Sequence, residues 1–244
     1  MQKQEYRRIE QLEEIHFWYR AMETSVLDYL NRRRFSGAKI LDAGCGNGGL
    51  SRKLQPFGIV TALDINDTAI RLAKEKGLKK VIKASVERLP FADESFDIVL
   101  SLDVLYHKKV KDDEKALREA KRVLKTGGLL ILRLPAFEIL RGHHDVIVET
   151  RHRYVIGEVR KKVINAGFEI EKISYANFLL SIPLLLKRNL ERILKSDSDA
   201  SDTVELPGFL NEFFFNYLAA ENKLLNYFNY PFGSSIICYA VKKS

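Results

Sequence analysis

The chain of 244 residues is 46% hydrophobic and 30% charged, which excludes a disordered polymer and allows one substantial core, with a helical insertion rather than a second domain. No apolar run approaches the roughly 18 residues that a membrane span requires, and the opening MQKQEYRRIEQLEEIHF is too charged for a secretory signal, so the expectation is a cytoplasmic protein. The net charge of +8 would suit an anionic partner, yet Lys and Arg fall on helical faces such as RLAKEKGLKK and KALREAKRVLK, where solvation accounts for them, and the cysteines Cys45 and Cys238 have neither metal-ligand nor redox spacing.

In chain order, EEIHFWYRAM reads as an amphipathic helix ahead of the first strand. Short apolar runs rich in β-branched residues then alternate with helical patterns. AKILDAG is followed by a helix from about Gly49, IVTALDI by a helix from about Asp67, and KVIKA and FDIVLSL by a helix from about Asp112 that leads into GLLILRL. This alternation predicts βαβ units and a doubly wound, mainly parallel α/β sheet covered on both faces. GEVRKKVINAG is a further helix ending on a left-handed cap at Gly167, and FEIEKISY is the next strand. ANFLLSIPLLLKRNLERIL reads as an apolar segment broken by Pro183, SDSDASD as a polar loop, LPGFLNEFFFNYLAAENKLLNYF as an aromatic helix, and SSIICYAVKK as a closing strand. No internal repeat is present.

The stretch KILDAGCGNGGLSRKL turns a strand into a glycine loop. Gly44, Gly46 and Gly49 satisfy G-x-G-x-x-G, and Asp64 lies about 20 residues on, where a dinucleotide site wants a ribose-binding acid. Spacing alone therefore does not choose the ligand. Charge does better: a carboxylate at Asp42 would repel a pyrophosphate and attract the ammonium of an amino-acid moiety, unless it merely caps the following turn.

ILDAGCGNG, VTALDIND, ASVERLPFADESFDIVLSLDVLYH and LREAKRVLKTGGLLIL, in that order, resemble the class I S-adenosylmethionine-dependent methyltransferases, most closely the broad group that includes the ubiquinone/menaquinone-type enzymes. The resemblance is close over roughly Lys39 to Leu134. It implies a Rossmann-like seven-stranded sheet with an antiparallel last strand near Ser235 to Val241, S-adenosylmethionine as cofactor and S-adenosylhomocysteine as product. Residues 1–244 would then form one methyltransferase domain: 1–36 a helical lid, 37–175 the cofactor-binding core, 176–232 an inserted cap and 233–244 the final strand. Asp42 would serve the cofactor ammonium, loop amides around Gly44, Cys45 and Gly46 its carboxylate, and Asp64, with Ile65 beside it, both ribose hydroxyls. By the same resemblance Ser85 and Val86 fall at the adenine, and Leu102 and Asp103 lie near the cofactor. Ser85 stands where many members have Asp, so it brings a hydroxyl and no charge.

Methyl transfer is an in-line displacement that alignment and desolvation can accelerate, but a hydroxyl or amine acceptor must also lose a proton. Tyr106 and His107 leave the fourth strand at the acceptor edge. His143, His144, Asp145, Arg151, His152, Arg153 and Tyr154 follow the fifth, where His144 could act as a base oriented by Asp145, or the group could bind an anionic acceptor or form an ordinary polar loop. Their spacing matches no closed metal motif, so no metal is expected. In the lid, Trp18 or Tyr19 could shield the sulfonium by cation–π attraction and Arg20 could meet the cofactor carboxylate. Phe209, Phe213, Tyr217 and Leu224 or Leu225 share a helical face, for which core packing is the default reading; a lid over an apolar acceptor, a dimer surface or a peripheral membrane contact are the alternatives. The expectation is a methyltransferase for a small-molecule, glycan or lipid-linked acceptor, modifying oxygen or nitrogen. An RNA methyltransferase is the second reading, against which stands the lack of an N/D-P-P-Y-type tetrad, and a silent cofactor-binding interaction protein is the third.

Overall fold

The computed structural model of the chain describes residues 3–194 and 206–243; SDSDASD lies outside the described residues. Two N-terminal helices, α1 (Lys3–Leu12) and α2 (Phe17–Arg32), precede a sheet whose strands are β1 (Ala38–Ala43), β2 (Gly58–Asp64), β3 (Val81–Lys83), β4 (Phe96–Leu102), β5 (Leu124–Pro135), β6 (Phe168–Ala176) and β7 (Ser235–Lys242). Between them run α3 (Gly49–Lys53), α4 (Asp67–Glu75), α5 (Asp113–Val123), α6 (His143–Ile147), α7 (Ile156–Asn165), α8 (Phe178–Leu194) and α9 (Gly208–Leu224).

The strand order is β3-β2-β1-β4-β5-β7-β6, parallel except that β7 runs antiparallel between β5 and β6. Helices cover both faces, so the central strands carry continuous apolar runs: Ile40, Leu41, Leu63, Ile98, Leu100, Leu130 and Ile131 are all fully buried. The order reverses between β1 and β4, which splays their connections apart and opens a crevice beyond their carboxyl ends.

Local chemistry sets the helix starts that face this crevice. Asn66 accepts a hydrogen bond from the Thr68 amide at 2.8 Å to begin α4, and Asp112 accepts one from Lys115 at 2.8 Å to begin α5. α5 buries Ala116, Leu117, Ala120 and Val123 on one stripe. α7 ends as expected, with Gly167 at φ +87°.

The chain between β6 and β7 differs from its sequence reading in two respects. Pro183 does not break α8. It removes only the amide that would reach the carbonyl of Leu179, and the helix is held on both sides of it: the Phe178 amide donates to Glu221, Ser181 Oγ donates to the Phe178 carbonyl, and Arg192 donates to Ile139 O at 2.7 Å. The aromatic face of α9 is not core either. Phe209 and Phe213 point outward, while Leu225 is buried and Tyr217 donates to Glu221 at 2.6 Å. The reason is that α9 packs against α2 through other residues: Phe214 lies against Phe17, Arg20 pairs with Glu212, and Asn222 donates to the Ala21 carbonyl.

At Gly44 the backbone has φ +103°, and an added Cβ would lie 2.2 Å from Val104 Cγ2. Gly44→Ala should therefore lower folding stability by roughly 1–3 kcal/mol, through strain and overpacking together, read as a lower midpoint in chemical denaturation. An unchanged midpoint would mean that the turn relaxes freely.

Candidate active site

Two joined hollows occupy the crevice. The smaller, about 130 Å³, lies among Asp64, Ile65, Ser85, Val86, His107 and Lys109. The larger, about 500 Å³, is roofed by α2 and α8 and contains Trp18, Tyr19, Asp42, Cys45, Leu102 and His144 in its wall. Gly44, Gly46, Asp103, Tyr106 and Val148 border both. The sequence-predicted cofactor residues thus converge, with one exception.

Asp42, at the end of β1, is 4% exposed and accepts a hydrogen bond from Ser51 Oγ of α3. Burial, reinforced by the charge of Asp64, pushes its carboxyl up to about 6 despite that bond. Asp42 therefore both ties down α3 and borders the larger hollow. Asp64 is also raised by burial, although each of its oxygens accepts a backbone amide, from Asn66 at 2.8 Å and from Gly46 at 3.1 Å.

The loop amides do not do what the sequence reading assigned to them. Gly44 N and Cys45 N donate to Leu63 O, at 2.7 and 2.9 Å, and Gly46 N donates to Asp64. They stitch the loop to β2, and the glycines contribute space. The Cys45 thiol is raised by burial and stays protonated. Asn47, not singled out from sequence, is 5% exposed in the wall of the larger hollow, and its Nδ2 has no acceptor among the described residues.

The exception is Arg20, whose guanidinium pairs with Glu212 and lies 4.1 Å from the Phe215 ring centroid, outside both hollows. Acid and aromatic ring on α9 outcompete the crevice for it. Trp18 and Tyr19 do face the larger hollow, but one cation is already stacked on Trp18: the Arg133 guanidinium, 4.4 Å from its ring. Arg133 is buried, 3.5 Å from Asp103 and 3.3 Å from Ser235 Oγ. Its sequence signal was a lone cation in the apolar run GLLILRL. Asp103 sits at φ +55° as β4 ends, a left-handed position that Asp tolerates better than most residues, and burial raises its carboxyl.

Of the group after β5, the hollow receives His144, Asp145 and Arg153. Asp145 does not orient His144: it accepts from Arg153 Nε at 2.9 Å and from the Gly142 amide. His144 lies near Asp103 instead. His152 pairs with Glu158 at 2.8 Å, and the Tyr154 hydroxyl donates to Asp113 at 2.7 Å, both away from the crevice. Among the described residues no three His, Cys, Asp or Glu side chains are gathered to hold a metal. His107 borders the smaller hollow; its Nδ1 accepts from the Lys109 amide at 3.0 Å, and burial lowers the imidazole to about 4. Burial also holds the Tyr106 hydroxyl protonated.

A nucleoside-sized crevice at a sheet's topological switch point, walled by two buried carboxylates, belongs to a Rossmann-like protein whose ligand brings a cation and hydroxyls rather than a pyrophosphate. Comparison with known proteins agrees. A family model described as a methyltransferase domain matches residues 41–132. The ubiquinone/menaquinone biosynthesis C-methyltransferase UbiE of Pasteurella multocida is 33% identical over 186 residues, 61% of this chain and 68% of the relative. Phthiotriol/phenolphthiotriol dimycocerosates methyltransferase 1 of Mycobacterium ulcerans is 32% identical over 171 residues, 66% of this chain and 58% of the relative. For two further proteins of the first name, the chain spans only 48% and 46% of their length. A solved S-adenosylmethionine-dependent methyltransferase from Thermotoga maritima superposes with a TM-score of 0.63 over 98% of this chain and 95% of the other at 21% identity, a likeness of fold. The chain belongs to the class I S-adenosylmethionine-dependent methyltransferases, and S-adenosylmethionine is its cofactor.

Two variants test the site. Asp64→Ala should weaken S-adenosylhomocysteine by roughly 1.5–3 kcal/mol in calorimetric titration, the range for hydrogen bonds to a charged group; unchanged affinity would displace the ribose from Asp64. Asp42 carries a pH signature. Its folded pKa of about 6 exceeds the ordinary 3.8, so burial of the ionised group opposes folding by on the order of 3 kcal/mol above pH 6, and the opposition fades as pH falls toward 4. A cationic ligand needs the ionised form, so affinity should be flat above pH 6 and fall below it. Asp42→Asn should bind more weakly at pH 7.5 with a shallower pH profile, yet melt no lower than wild type; a lower melting midpoint with unchanged affinity would make Asp42 purely structural.

Proposed function

We propose that the enzyme transfers a methyl group to a non-protein acceptor with an apolar portion, a small molecule, glycan or lipid-linked intermediate, at oxygen or nitrogen. One observation carries this reading: the lining of the larger hollow combines polar side chains, among them Asp103, His144, Arg153, Ser234 and Ser235, with apolar ones, among them Phe17, Met22, Leu180 and Leu184. An amphiphile with a hydrogen-bonding head fits such a mixed lining.

Bound S-adenosylmethionine supplies an electrophilic methyl on a sulfonium. Asp42 would hold the ammonium end and Asp64 the ribose, with Ile65, Ser85 and Val86 around the base and Leu102 packing beneath. Tyr106 borders both hollows and, kept protonated, can donate a hydrogen bond to the acceptor heteroatom. His144, with Asp103 nearby, is the residue suited to take the acceptor proton. His107 borders only the smaller hollow, which suits a wall of the nucleoside site better than proton transfer. The name of the Mycobacterium ulcerans relative fits an acceptor of lipid character. The names of the ubiquinone/menaquinone relatives favour a second reading, methylation at carbon on a similar amphiphile.

His144→Ala should lower kcat by roughly 100-fold or more for an oxygen or nitrogen acceptor, with S-adenosylhomocysteine affinity unchanged. The assay is transfer of labelled methyl to lipid and polar extracts, with the product solved by NMR. Label recovered only in RNA would overturn the reading.

A further inference from the structure

α8 is inside out. Its line Leu179, Ile182, Leu186, Leu190 and Ile193 follows helical spacing along the whole element, and every member is exposed, by 43% to 77%. The opposite line, turned toward the protein, contains Ser181 and Arg188, both buried. Arg188 is held there by Glu191 at 2.7 Å, and its guanidinium crowds Gly142 at the start of α6. A water-soluble helix reverses this arrangement. Five aliphatic side chains in one unbroken stripe form an apolar surface of the kind that marks an interaction site.

We propose that α8 docks the enzyme on an anionic lipid bilayer, lying in the interface with its aliphatic stripe among the acyl chains. The stripe's chemistry favours lipid over protein. It has no hydroxyl, amide or aromatic anchor to fix register with a protein partner, and a fluid acyl phase needs none. Arg188 is buried, but Lys187 and Arg192 are exposed on the same helix beside the partly buried Glu191, on a chain of net charge +8, the sign that lipid phosphates attract. Lys187, next to Leu186, sits at the margin of the stripe, where a long side chain reaches headgroups while its stem stays among the chains. The same helix sends Leu180 and Leu184 into the wall of the larger hollow, so the helix that meets the bilayer with one face forms part of the acceptor chamber with another. This places a chamber wall at the level where a lipid-linked acceptor resides, but the docking itself stands independently of that choice of acceptor.

The test is co-sedimentation of the full chain with vesicles of phosphatidylcholine mixed with phosphatidylglycerol, against pure phosphatidylcholine. Wild type should sediment with the mixed vesicles and much less with the neutral ones. The double variant Leu186→Glu, Leu190→Glu should lose roughly tenfold or more of the vesicle-bound fraction while titrating normally with S-adenosylhomocysteine, which reports an intact fold. In a second measurement, Leu190→Trp should shift its emission to the blue on adding mixed vesicles, relative to the wild-type Trp18 background. Wild type remaining in the supernatant, or the double variant sedimenting as well as wild type, would overturn the proposal. So would a wild-type dimer that the double variant dissociates without any vesicle affinity, which would assign the stripe to a second copy.

Discussion

Asp42 and Asp64 end adjacent parallel strands on the two sides of one loop, and both are carboxylates withdrawn from water. Desolvation raises both acids, and the charge of Asp64 raises Asp42 further. A fold seeking only stability would replace them with apolar or amide groups. A ligand that brought positive charge to one and hydroxyl donors to the other would relieve the conflict. The surrounding construction keeps the pair in position: Ser51 fixes Asp42 from α3, the amides of Gly46 and Asn66 fix Asp64, and the Leu63 carbonyl anchors the intervening turn.

The N-terminal helices and the segment between β6 and β7 form a single roof over this pair. α2 is clamped to α9 by Arg20 with Glu212, Phe17 with Phe214 and Asn211 with the backbone of Ile15 and Phe17. Below, Trp18 rests on Arg133, which faces Asp103 at the end of β4. A chain of charge and aromatic contacts thus runs from the outer helices to the strand ends. These contacts hold the roof over the strand ends, which suits a reaction that gains from excluding water.

Much of this was legible in the sequence because it rests on local rules. The apolar runs between helical patterns could only be buried parallel strands, Asn66 and Asp112 announce their helices through their own side chains, and the acids Asp42 and Asp64 stand at fixed distances from the glycines. Arg20 was misread because its partners, Glu212 and Phe215, lie almost two hundred residues away in sequence, and no spacing rule connects them. Asp145 was misread for the opposite reason: beside His144 in sequence, it turns to Arg153 because α6 sends consecutive side chains in different directions. The aromatic run of α9 looked like core from composition, whereas burial is decided by which face α2 covers.

The most direct measurement is a paired calorimetric titration of the unaltered chain with S-adenosylhomocysteine and with NAD at neutral pH. The acid at the end of β1 should admit the ammonium-bearing nucleoside, giving a saturable isotherm, and refuse the pyrophosphate, giving none. An NAD isotherm as tight as that of S-adenosylhomocysteine would contradict the electrostatic selection on which the site assignment depends.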